Sequence, residues 1–368
     1  MALLKLENVW KRYGEVEAVK NVNLECEQGE FLSLLGPSGC GKTSTLRMIA
    51  GLEKITSGNI YIKGQLVNDL QPGKRNIAMA FENYALYPTL VVYENIAFPL
   101  RAKKLSEKEI KKRVLWVAEL LEIEDILYSK PKGLSGGQQQ RISLARALVK
   151  DADIHLMDEP ISHLDADMRR RMRRELKRLH QTTGMTVVYV THDQLEAMSM
   201  ADRIAVMNNG VIHQIGTPTE IFNHPKDEFV AGFIGSPPIN FLESRLRVEK
   251  GRYAIEVEKF LYFIPDRLGK KVEKASDLLG GRVRLGVRPG DIALSLKKVD
   301  NALSGKVILV EPVGESVVYH IRLGEKEIIA EVSVEEDINV SEGEGIRIIF
   351  NPDRLYFFHP ETGKSLHT

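Results

Sequence analysis

Residues 36–44 read GPSGCGKTS, a G-x-x-x-x-G-K-[ST] loop, and the reading of this stretch decides the fold around it. The apolar run Phe31–Leu35 leads into it, and the helix-compatible residues 46–50 follow. A strand that turns through glycines into a helix N-terminus is a phosphate cradle. Gly36, Gly39 and Gly41 allow the turn, so that backbone N–H groups along Pro37, Ser38, Cys40, Lys42, Thr43 and Ser44 can converge on β- and γ-phosphates where a proton is available. Lys42 supplies charge neutralisation, and the Thr43 hydroxyl is suited to Mg²⁺.

The loop alone predicts a P-loop NTPase and leaves its chemistry open. Further along, residues 134–141 read LSGGQQQR and lead into the helix-like ISLARALV. Ser135, Gly136 and Gly137 at a helix N-terminus form a second anion-binding geometry with no obvious phosphate of its own. Residues 154–159, IHLMDE, then end an apolar strand in two carboxylates. A strand that delivers Asp158 to a metal shell and Glu159 to an attacking water is what in-line hydrolysis of a phosphoanhydride requires.

The order of these segments resembles the ATP-binding-cassette ATPases: phosphate loop, a loop around 81–87, LSGGQ, strand with Asp-Glu, SHLD at 162–165, and the strand TVVYVTH ending at His192. The resemblance continues through ENYALYPTLVVYENIAFPL, THDQLEAMSMADRIAVMNNGVIHQIGTP, FVAGFIGSPPINFL, GVRPGDI and DRLYFFHPETGK. Those segments look like the subfamily that energises carbohydrate importers, of the maltose and glycerol-3-phosphate type. The resemblance implies an α/β P-loop NTPase cassette followed by an all-β, OB-like barrel that serves regulation and dimer contacts.

It also implies roles for individual residues. Tyr13 is expected to stack on adenine, a contact worth about 1–3 kcal/mol for a base on an aromatic ring. His192 is expected at the γ-phosphate, orienting water for Glu159. Two cassettes are expected to pair head to tail, with Ser135, Gly136, Gly137 and Gln138 of one binding the γ-phosphate held by the other, and Asp165 linking the two sites. Tyr84, Ala85, Leu86 and Tyr87 form an apolar loop that the resemblance assigns to the coupling helix of a permease; exposed, it would be a liability. Two residues depart from the family pattern: Glu82 stands where Gln is usual, and His163 where Asn is usual. Carboxylate oxygens suit Mg²⁺, so Glu82 is expected in the metal shell with Thr43 and Asp158. Its charge next to a phosphate would cost about 4 kcal/mol at 4 Å with an effective dielectric near 20. A tolerated substitution and a slowed hydrolysis step both remain open, the second implying a non-identical partner ATPase.

Composition bounds the rest. The 368 residues carry a formal net charge of +1, which gives no field for nucleic acid. The two cysteines, Cys26 and Cys40, form no disulfide framework. No apolar stretch reaches the length of a membrane span, so the chain is expected at the cytoplasmic face of the membrane through partners: a second ATPase subunit, two permease subunits and, indirectly, a solute-binding protein. The domain boundary reads near Ser236 to Asn240, giving a cassette at 1–236 and a barrel at 237–368. Residues 106–121 have capping-box and helical periodicity. After SPPIN the helical pattern nearly vanishes, and short apolar runs recur at Arg282–Val287, 306–310, Ser316–Leu323, 327–332 and 346–350. Asn209-Gly210 reads as a hairpin turn. A polyamine or metal-ion importer ATPase, or a soluble cassette acting on ribosomes or DNA, is the alternative; the chain shows neither a second cassette nor heptads.

Overall fold

A computed structural model describes residues 2–276 and 280–366. The chain divides into two compact units, Met1–Glu220 and Ile221–Thr368, so the short helices Pro218–Asn223 and Glu228–Phe233 fall at or beyond the division. The sequence-based boundary lay later, at 236/237.

The first unit is built on a six-stranded sheet in the order Val211–Gly216, Arg203–Asn208, Phe31–Leu35, Val187–Thr191, Ile154–Asp158, Ile77–Ala80. All neighbours run parallel except the first pair. Every residue of Phe31–Leu35, Ile154–Asp158 and Val187–Thr191 is buried. Near-continuous apolar runs of that length are what strands covered on both faces require. The registers Leu35↔Thr191 and Asp158↔Val190 bring three strand ends to one edge. In a parallel sheet that edge is where ligands bind, because every strand delivers its carboxyl end there.

A four-stranded antiparallel sheet, Val16–Cys26, Leu4–Tyr13, Ser57–Ile62, Gln65–Leu66, shares a core with it through Leu4, Leu6, Val9 and Leu46. The helix Glu107–Leu120 forms as its periodicity predicts, burying Ile110, Val114 and Val117, and the Ser106 side chain accepts from Glu109 N–H at 3.3 Å. The Glu109 carboxylate turns instead to Arg113, at 2.8 Å.

In the second unit, two five-stranded antiparallel sheets enclose one core containing Leu285, Tyr319, Ile328, Ile348 and Phe357. The predicted apolar runs all lie in strands, among them Arg282–Val287, Ser316–Leu323 and Lys326–Ser333. A helix, Asp266–Ser276, interrupts the all-β pattern. Its sequence gave little warning because only Leu268 and Val272 carry its apolar stripe between charged neighbours, and Val272 is fully buried.

Candidate nucleotide site

The phosphate loop leaves the buried strand Phe31–Leu35 and enters the helix Lys42–Ala50. A Cβ on Gly36 would lie 2.0 Å from the Met207 carbonyl oxygen, and one on Gly41 would lie 2.4 Å from that of Ala18. Gly41 also has φ 107°, a conformation that side chains disfavour. Gly41 caps the helix without any side-chain acceptor, so the first-turn N–H groups stay available to an anion. Ser38 and Gly39 form the exposed tip. Lys42 is nearly fully buried, and its Nζ donates to the carbonyls of Gly36 at 2.7 Å and Pro37 at 2.8 Å. The ammonium is thus folded back over the loop. Cys40 is buried beside it, and burial raises its thiol pKa against the pull of Lys42.

The Asn209-Gly210 turn forms the predicted hairpin, both residues having positive φ. It also braces the loop: Gly210 N–H donates to the Cys40 carbonyl at 3.0 Å, a role no local motif announced.

Thr43 Oγ1 donates to Asp158 Oδ1 at 3.0 Å, so the two expected metal-shell oxygens meet. Burial pushes the Asp158 carboxyl up to about 6, against the hydrogen bond from Thr43; the charges of Glu82 and Glu159 add to the rise. A half-buried hydroxyl and a buried carboxylate under the field of two further acids form a hard-oxygen donor set that fits a divalent cation. Glu82 itself is exposed on its loop. Glu159 follows Asp158 with φ 46°, a left-handed conformation that is costly for a side chain of this size. Its Oε2 lies 2.9 Å from His192 Nδ1, so the expected base and the strand-end histidine are joined.

Tyr13 is partly exposed at the end of Leu4–Tyr13, with Lys11 Nζ 4.6 Å from its ring centroid. Its hydroxyl donates to Glu53 and lies 3.4 Å from Ser44 Oγ, which ties it to the phosphate-loop helix.

The segment Ser135–Gln138 stands apart from this group. Ser135 caps the helix Gly136–Leu148 in a full capping box: its side chain accepts from Gln138 N–H at 3.3 Å, and Gln138 Oε1 accepts from Ser135 N–H at 2.9 Å. The surroundings of Gly136 and Gly137 are the Tyr84 hydroxyl and the Leu164 side chain. Asp165 is exposed, and its Oδ1 caps the helix Ala166–Thr183 by accepting from Met168 N–H at 2.9 Å.

Tyr84, Ala85, Leu86 and Tyr87 lie in a loop, Ala85 and Tyr87 exposed and Leu86 half-buried. Asn95, fully buried, anchors it by accepting from Tyr87 N–H at 2.8 Å and donating to the Tyr87 carbonyl at 3.1 Å. Arg146 donates to the Ala85 carbonyl and covers the Tyr87 ring at 4.8 Å.

Sequence reasoning missed Gln140. It is 1% exposed; its Nε2 donates to the Glu159 carbonyl at 2.9 Å, and its Oε1 accepts from His163 N–H at 3.0 Å. The run QQQ at 138–140 gave three equivalent amides and no sign that the third turns inward.

Among the described residues, no helix is long and apolar enough to cross a membrane. Residues 19–162 match the ABC transporter family model, and residues 285–358 match the TOBE domain. The chain is 46% identical to the trehalose/maltose import ATP-binding protein MalK of Thermococcus litoralis, over the whole of both chains. It is 43% identical to the oligosaccharides import ATP-binding protein MsmX of Bacillus subtilis, over 98% of this chain and 99% of that one. Among solved structures, the dimeric ATP-binding cassette MJ0796, in a post-hydrolysis state bound to ADP and Pi, superposes with a TM-score of 0.55 at 38% identity, covering 58% of this chain and 98% of that chain. Matched by the ABC transporter family model, followed in sequence by a TOBE domain, and 46% identical along its full length to an import ATP-binding protein, the chain belongs to the ATP-hydrolysing, ATP-binding subunits of the ABC transporter family.

Proposed function

We propose that this chain powers a carbohydrate importer, taking up oligosaccharides or a related sugar derivative, and that ATP hydrolysis occurs at the sheet edge described above. The observation that carries the catalytic reading is the convergence at that edge of Lys42, the Thr43–Asp158 contact and the Glu159–His192 pair at 2.9 Å. The sugar class rests on the import proteins with which the chain shares its full length.

Tyr13 carries the adenine, and the loop from Gly36 to Ser44 holds the phosphates, with Lys42 leaving its carbonyl partners to meet them. Thr43, Asp158 and Glu82 would hold Mg²⁺, which when bound neutralises charge on the phosphate oxygens. Glu159 accepts the proton of the attacking water, and His192 holds the Glu159 carboxylate in place. Positioning and charge stabilisation supply most of the rate in such a transfer.

Ser135, Gly136, Gly137 and Gln138 complete the site of a second copy, with Asp165 at the junction. The loop Tyr84 to Tyr87 docks a helix of the membrane-spanning permease pair, and this places the subunit at the cytoplasmic face, downstream of a solute-binding protein.

Steady-state Mg-ATP hydrolysis measured across protein concentration tests the reading. The rate per subunit should rise with concentration in the wild type and fall by about 10²- to 10⁴-fold in Glu159→Gln, the range for removing a general base. Unchanged turnover in Glu159→Gln would remove Glu159 from the mechanism. A rate per subunit independent of concentration would remove the paired site.

A further inference from the structure

We propose that Tyr84 and His163 form a latch that positions Glu159 from the permease-facing loop, an inference that rests on Glu159 being the base. Tyr84 OH and His163 Nδ1 are 2.6 Å apart, and the two rings meet edge to face with centroids 5.7 Å apart. His163 N–H donates to Gln140 Oε1, and Gln140 Nε2 donates both to the Glu159 carbonyl at 2.9 Å and to Ser162 Oγ at 3.3 Å. Ser162 Oγ also donates to the Glu159 carbonyl, at 3.0 Å. Hydrogen bonds therefore join the Tyr84 hydroxyl to the His163 ring, and the His163 backbone N–H, through Gln140, to the Glu159 carbonyl, the two halves being connected through the covalent frame of His163.

The need for such a chain lies in Glu159 itself. Its φ of 46° is a left-handed conformation that persists only where surrounding contacts over-determine it. The Glu159 N–H donates to the Val190 carbonyl at 3.0 Å, while its own carbonyl collects the Gln140 and Ser162 bonds. The strand thus fixes one side of the residue and the Gln140–Ser162–His163 cluster fixes the other. Tyr84 is the outermost member of that cluster and lies on the loop that also carries Glu82. Tyr84 and Ala85 have positive φ as well, at 62° and 47°, so the loop is held in a shape it would not adopt alone. The Ala85 carbonyl and Tyr87 are tied to Arg146 and Asn95, which leaves Tyr84 as the member that reaches across to residues 162–165. His163, one of the two departures from the family pattern, thereby acts as a positioning residue.

The test is steady-state hydrolysis by the purified full-length chain for wild type, Tyr84→Phe, His163→Leu, the double variant and His163→Asn, with Glu159→Gln alongside. Each single loss should lower kcat about three- to tenfold, the size of one ordinary hydrogen bond acting in the transition state. KM and ATP binding should stay at wild-type values, and the double variant should be no slower than the slower single. His163→Asn should keep kcat within about twofold, because its Oδ1 can take the Nδ1 position and accept from Tyr84. Multiplicative losses in the double variant, losses confined to KM, or no rescue by His163→Asn would overturn the latch. Silent latch variants beside an inactive Glu159→Gln would overturn the latch alone. An active Glu159→Gln would overturn the reading beneath it as well.

Discussion

Two helices of the cassette start at or just after a glycine, and they treat their first-turn donors in opposite ways. At Lys42–Ala50 the cap is Gly41, which has no side chain to offer, and the donors stay open. At Gly136–Leu148 the cap is Ser135, and the reciprocal bonds with Gln138 close the box. The first terminus is surrounded by backbone: Met207 and Ala18 carbonyls would collide with any Cβ there. At the second, the nearest atoms to a Cβ on Gly136 or Gly137 belong to side chains, the Tyr84 hydroxyl and Leu164. An open terminus in a rigid backbone frame can bind phosphate unaided. A closed one with its hydroxyl exposed gains little from an anion until a partner brings one close enough for the Ser135 O–H to donate. The asymmetry matches a site divided between two subunits.

The largest expected break in this comparison comes from Lys42→Ala. Its Nζ is the charge buried within the loop, so ATP affinity, read by titration with a fluorescent analogue, should fall by at least about a hundredfold, the scale of losing a charge-assisted contact in a water-excluded site. The same assay on Ser135→Ala should show no change in affinity for the isolated chain.

Next in size is a pair of glycine substitutions. Gly36→Ala must displace a carbonyl 2.0 Å from the new methyl, and overpacking of that kind costs about 1–3 kcal/mol, visible as a lower midpoint in urea. Gly136→Ala meets only the Tyr84 hydroxyl at 3.3 Å and should leave the midpoint within experimental error. Equal destabilisation by both would erase the distinction between backbone-framed and side-chain-framed termini.

Ser135→Ala follows. It removes a cap worth about 1 kcal/mol and the hydroxyl proposed to serve the partner's site, so kcat at saturating protein should drop about tenfold with KM for ATP unchanged. A rise in KM without loss of kcat would place Ser135 on the side of ground-state binding.

The two termini also differed in how far their sequences could be read. GPSGCGKTS specifies its geometry locally, because glycine spacing and the lysine carry the whole device, and the strand before it is apolar but for Ser33. The Asp158 and Glu159 pair was equally visible, as was His192 at the end of its strand. LSGGQ was visible as a motif, but its capping box emerges only with the helix, and its neighbours Tyr84 and Leu164 come from distant segments. Gln140 and the Tyr84–His163 contact were hidden for the same reason: sequence separations of 19 and 79 residues are closed by sheet order, which no local pattern encodes. In the second unit, apolar alternation located the strands. The helix Asp266–Ser276 escaped because two apolar positions fall below what periodicity can distinguish.

The smallest effect is expected from Glu82→Gln, because the amide oxygen can still face Mg²⁺ while the charge is removed, and it sharpens the comparison from the metal side. Glu82 is exposed, and its charge reaches Asp158 as one of the contributions that raise the Asp158 pKa. Between exposed charges the relevant dielectric approaches that of water, where two unit charges at 4 Å interact by about 1 kcal/mol, and salt reduces this further. Removing the Glu82 charge should therefore change kcat by no more than about fivefold at low salt, with the difference shrinking as ionic strength rises. The repulsion of about 4 kcal/mol for a partly buried carboxylate would instead give an acceleration of several hundredfold that persists in salt. Measuring the two rates at two salt concentrations separates a carboxylate that stays at the rim from one that swings against the phosphates when the subunits close. The first outcome leaves the phosphate-loop terminus as the self-sufficient half of the site. The second would mean that this half, too, is set by what a partner and the loop carrying Glu82 and Tyr84 do to it.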